Sequence, residues 1–164
     1  MKDKTILHIL TGMGIAGWSL LFRKGSIKDW FLVYLFKTLL STLTDLPVAN
    51  KKIVKYPVRY FPNAFNTNIV FDYLLFPLLC VIYSQFTNKL KPLKTILSVF
   101  ILSGPMTVIH YWLAKNTQLI KYSRRWSWFH TLALLTATFW SSRAFIAWIR
   151  FLNKKRNNLQ SIND

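Results

Sequence analysis

Five apolar stretches, at residues 5–22, 29–48, 67–86, 93–114 and 126–150, dominate the chain. Each approaches or reaches the roughly 17–25 residues that a helix needs to cross a hydrocarbon core about 30 Å thick. The segments between them, RKGSIK, ANKKIVKYPVRYFPNAFN, TNKLKP and KNTQLIKYSRR, are too short to hold a soluble domain. The pattern predicts an all-α polytopic membrane protein: one transmembrane helical domain over residues 1–164, a bundle of five transmembrane helices with a basic C-terminal tail at 151–164. Four spanning helices plus one interfacial or re-entrant helix is the alternative. Lys2 and Lys4 imitate the start of a signal peptide. No small-x-small cleavage site follows, and Arg23–Lys24 reads as a stop-transfer pair, so a retained helix is expected.

With 52% hydrophobic residues, 13 Phe, 7 Trp and 7 Tyr, the chain is not a disordered one. Its net charge is +17, from 22 basic and 5 acidic residues, and the cations flank the apolar stretches on both sides. That distribution points to anionic membrane lipids as partners, at about 1 kcal/mol for each basic residue near the head groups, and not to nucleic acid. Lys55, Tyr56, Arg59 and Tyr60 in KYPVRYFP interleave cations with rings, and Trp126 and Trp128 mark a similar belt; all six are expected to contact lipid head groups. Lysine and arginine are shared equally between the two faces of a five-helix arrangement, so they do not orient it. The lone cysteine, Cys80, lies in an apolar run and reads as a small buried hydrophobe. Pro77 and Pro105 should kink their helices, and Gly12 with Ala16 offers a small-x-x-x-small face for close helix approach.

Ionisable groups inside apolar stretches cost roughly 2.5–3.5 kcal/mol at a bilayer centre, so each needs an explanation. Here they are His8, Lys37, Asp45, Asp72, His110, His130 and Arg143. Helix alternation puts Asp45 and Asp72 at one level, and His110, His130 and His8 join them if the third and fourth stretches both span. Lys37, Asp45, Asp72, His110 and His130 are therefore expected to form a polar intramembrane cluster. Lys37, Ser41 and Asp45 make a stripe along one helix, but about 12 Å of axial rise separates Lys37 from Asp45 and argues against direct pairing. Arg143 is expected to snorkel toward Arg150. The cluster suits proton handling, a metal site or simply satisfied structural polar groups. No HExxH, HxxxH or carboxylate-x-x-His pattern supports metal, so neither metal nor cofactor is expected. Asp72, on a side chain too short to snorkel, is the residue whose loss should matter most, and Asp72→Leu is expected to impair folding or assembly.

At KYPVR (55–59), FDYLLFPL (71–78), the proline of SGPMT (103–107) and LIKYSRRWSWFH (119–130), the chain resembles a family of small integral membrane proteins in Bacillus and related spore-forming Firmicutes. That resemblance implies a multi-pass protein of a bacterial cytoplasmic or spore membrane, and supplies no activity, substrate or catalytic residue. It also implies an acid where His110 stands here. No nucleophile elbow, phosphate-binding glycine loop or dinucleotide fingerprint occurs. The expected role is a structural or accessory membrane component, contacting itself as a homo-oligomer or another membrane protein. The alternatives are a transporter or binding protein for a small solute or ion, and an intramembrane lipid-modifying enzyme using the two acids and His130.

Overall fold

A computed structural model describes residues 2–21, 26–124 and 126–163. The Arg23–Lys24 pair and Arg125 lie outside the described residues. Helix α1 covers Lys2–Leu21 and α2 covers Ile27–Asn50. A π-helical turn at Val70–Leu75 runs into α3 at Phe76–Phe86; α4 follows at Pro92–Asn116 and α5 at Trp128–Asn163. Ile27–Asn50, Pro92–Asn116 and Trp128–Gln160 are long and apolar enough to cross a membrane, whereas Val70–Phe86 is a shorter apolar helix. Residues 151–163 of the expected basic tail continue α5: the NKKRNNLQ run contains neither proline nor glycine, so nothing in it stops the helix.

The π-turn and α3 form the centre of the bundle, packed against α1 and α2, with α3 also meeting α5. Phe71, Phe76, Cys80, Val81 and Tyr83 are buried there. Pro77 explains how α2 is attached. It has no N–H for the carbonyls four and five residues before it, Tyr73 and Asp72. Both carbonyls are satisfied from α2: Tyr34 Oη donates to Tyr73 O at 2.5 Å, and Ser41 Oγ donates to Asp72 O at 3.1 Å. In lipid, where apolar burial gives no net drive between helices, such bonds and close packing hold a bundle together.

The close approach of α1 uses different small residues from those expected. Gly12 has nothing near the position of a Cβ, whereas a Cβ on Gly14 would lie 2.5 Å from Leu74 Cδ2 and one on Gly17 would collide with Leu78 Cδ2. Gly14 and Gly17 therefore mark the face that meets the central helix.

At one end of the bundle the 51–69 and 117–127 connections are joined by two short strands, β1 at Val54–Lys55 and β2 at Lys121–Tyr122. They pair antiparallel, with Val54 opposite Tyr122 and Lys55 opposite Lys121. At the other end Arg150 Nε donates to Asp29 Oδ2 at 2.8 Å, its guanidinium also reaches Asn88, and it lies 5.4 Å from the Trp30 ring. Arg143 Nε donates to Thr87 Oγ1 at 3.1 Å, which tethers it to the connection between α3 and α4.

Candidate functional site

Beneath the β1–β2 ribbon lies a cavity of about 50 Å³, lined among others by Asp45, Tyr56, Asp72, His110, Tyr122 and Trp126. Several elements converge on it. Asp45 comes from the last turns of α2, Asp72 from the π-turn, His110 from α4, and the two tyrosines from the ribbon and the residue after it. A cavity of this size has room for water but for no organic solute beyond a few heavy atoms.

Asp72 enters through the wider register of the π-turn. Asn68 starts that turn by accepting Asp72 N at 3.0 Å through its carbonyl and Val70 N at 3.1 Å through Oδ1. Asp72 is then 1% exposed, and neither carboxyl oxygen has a hydrogen-bond partner among the described residues. Thr67 interacts electrostatically with it, and the Thr67 hydroxyl also lacks a partner at hydrogen-bond distance. His110 is stacked on Phe76, with ring centroids 5.3 Å apart, and edge-on to Phe71 at 5.7 Å. Its Nε2 is likewise buried without a partner.

Asp45 is placed differently. Lys37 Nζ lies 3.8 Å from Asp45 Oδ2, correcting the expectation that the two are too far apart to pair. The axial rise between the Cα atoms left out the reach of the four-carbon lysine stem. Lys37, 3% exposed, also donates to Ser41 Oγ and stands 5.5 Å from the Phe76 ring centroid. Thr44 Oγ1 donates to Asp45 Oδ1 at 3.1 Å. One acid is thus compensated by a cation and a hydroxyl, and the other has no such direct pairing.

Tyr56 closes the outer side. Burial pushes its phenol well above the ordinary tyrosine range, and the Asp72 and Asp45 carboxyls and Tyr122 push it further, so it stands as a neutral O–H at physiological pH. Burial also raises Tyr122, partly offset by its hydrogen bond with Thr131.

Two of the expected layer members are elsewhere. His130 is exposed at the start of α5, where its Nδ1 pairs with Ser127 Oγ at 2.8 Å and its ring lies against Trp126. His8 is also exposed, with its Nδ1 2.7 Å from Tyr60 Oη. His130 is held by a local bond to Ser127 and His8 by a distant one to Tyr60, neither of which depth alone reveals. Of the expected head-group residues, Lys55, Tyr60 and Trp128 are exposed and Arg59 is partly buried, while Trp126 lines the cavity and donates to Thr131 Oγ1 at 2.9 Å. Tyr122 and Thr131 are cavity residues that sequence reasoning missed; only the ribbon pairing brings Tyr122 over the cavity. Among the described residues no group of three His, Cys, Asp or Glu side chains is placed to hold a metal ion. No family model, curated protein or solved structure matches the chain.

Proposed function

We propose that the chain is a five-span membrane protein that binds a small cation in the cavity around Asp72, the proton being the cation its groups suit best. The observation that carries this reading is the Asp72 carboxyl: both oxygens are buried without a hydrogen-bond partner, beside a cavity that His110 also lines. A buried carboxylate without partners costs several kcal/mol, and uptake of a proton or another small cation removes that cost. Carboxylate and imidazole both take and release protons, and Tyr56 and Tyr122 can pass a hydrogen bond toward the ribbon side. Lys37 and Asp45 compensate each other, so the carboxyl left to take up a cation is that of Asp72.

Five crossings accord with the helix order, with α1 and the 17 residues of Val70–Phe86 as the shorter spans. At 1.5 Å per residue those 17 residues cover about 25 Å, which suits a central helix shielded by its neighbours. The exposed rows of apolar side chains, such as Leu35, Leu39 and Leu43 on α2, are surfaces that lipid covers, and they do not by themselves require the protein partner of the accessory reading.

Calorimetric titration of the protein in nanodiscs with sodium, potassium and ammonium ions, each at two pH values, tests the proposal. The expected result is a saturable signal of one cation per chain, or a heat set by proton exchange, that Asp72→Asn abolishes. A wild type indifferent to every cation and to pH overturns it.

A further inference from the structure

Outside the cavity, and sharing only Tyr56 with it, a second pocket of about 310 Å³ is lined by Ala49, Asn50, Lys52, Lys55, Tyr56, Pro57, Arg59 and Asn66. It holds three cations, two amides and no acid among the described residues that line it. We propose that this pocket binds a phosphate mono- or diester group, which a membrane supplies as the head group of an anionic phospholipid. This proposal is independent of what the inner cavity holds.

Three features go beyond a scatter of surface lysines. Arg59 is fixed in place, donating to Tyr56 O at 2.5 Å and Pro62 O at 2.9 Å; that engages two of its five N–H donors and leaves others for a ligand. The amides are ordered as well, Asn66 Nδ2 donating to Asn50 Oδ1 at 2.8 Å. Lys52 occupies the third place at a conformational cost. Helix α2 ends with Ile53 N donating to Val48 O at 3.1 Å and Lys52 N to Ala49 O at 2.9 Å, the two bonds that close a helix around a left-handed residue. That residue is Lys52, at φ 55°, where glycine is the usual occupant. Lys55 adds a second cost, because it stands directly opposite Lys121 across the ribbon and like charges so placed repel. A bound phosphate relieves the crowding of positive charge. Lysine and arginine are the residues that recognise phosphate oxygens, arginine through its fork of donors and lysine as a point charge.

The left-handed position supplies an unusually clean variant. Lys52→Gly removes the cation and at the same time relaxes the backbone, so the unliganded protein should melt no lower than the wild type. The full chain in neutral detergent is titrated in parallel with short-chain phosphatidylglycerol, short-chain phosphatidylcholine and inorganic phosphate, with melting temperature as the readout. Phosphatidylglycerol should stabilise the wild type saturably and phosphatidylcholine should be weaker. Lys52→Gly should weaken the anionic ligand about fivefold, and Lys52→Gly with Lys55→Gln about thirtyfold. Stabilisation by phosphatidylglycerol assigns the phosphate to a lipid; stabilisation by inorganic phosphate alone, lost in the double variant, supports the same site with a free anion as its source. Unaltered affinity in Lys52→Gly, or an equal loss in Lys154→Gln with Lys155→Gln on distant α5, overturns the proposal.

Discussion

Asp72 and Asp45 line one cavity, yet their replacement should have opposite consequences. Asp45 faces Lys37 at 3.8 Å, so Asp45→Leu leaves a buried ammonium unpaired and should lower stability by about 3–5 kcal/mol. Asp72 makes no side-chain hydrogen bond among the described residues, so Asp72→Leu breaks none and should leave stability unchanged or raise it by about 1–3 kcal/mol. Depth in the sequence alone leads to the opposite expectation, that leucine at 72 impairs assembly, so the measurement separates the two. Denaturation in a fixed detergent, with both variants beside the wild type, checks the contrast. Tyr56 gives a pH signature of its own. Its pKa is raised by folding, so the stability associated with its proton is complete below the ordinary tyrosine value of 10.0 and is lost as pH rises beyond it. Tyr56→Phe should flatten that alkaline decline and leave the neutral range unchanged.

Among the helices, the attachment of α2 to the π-turn follows from a single proline. Tyr34→Phe should cost about 1 kcal/mol in the wild type, since it removes the only side-chain donor to Tyr73 O among the described residues. Against a Pro77→Ala background the restored backbone N–H can take that place, so the cost should shrink; a double-mutant cycle measures the difference. The five apolar stretches, the prolines and the Lys37–Ser41–Asp45 stripe were legible in the sequence because hydropathy and helical spacing are local properties. The Gly14–Gly17 face was not, since helix alternation leaves open which small residues meet Leu74 and Leu78. Nor was the ribbon, whose two-residue strands are too short to show a period and are paired across 60-odd residues of intervening chain. His130 follows a related rule: a level in the bundle says nothing of the local bond that Ser127 offers it.

For the molecule as a whole, the fold divides into two ends that differ in kind. One carries the ribbon, the cavity and the basic pocket, and the other carries the Asp29–Arg150 pair and the protruding part of α5. If the bundle crosses the membrane five times, cysteines placed at Lys52 and Lys121 should react with an impermeant reagent from one side and a cysteine at Lys89 from the other. Buried Cys80 should contribute little background. The equal sharing of lysine and arginine between the faces fails to give orientation because it is a balance of charge, whereas the structure distinguishes the faces by what those charges surround. Binding in the cavity around Asp72 is the central property the fold is proposed to have. The direct test is the melting temperature of the nanodisc-embedded protein across about pH 5 to 8 for wild type and Asp72→Asn. A pH dependence in the wild type that is reduced or displaced in Asp72→Asn is the predicted result; two superimposable profiles would contradict it.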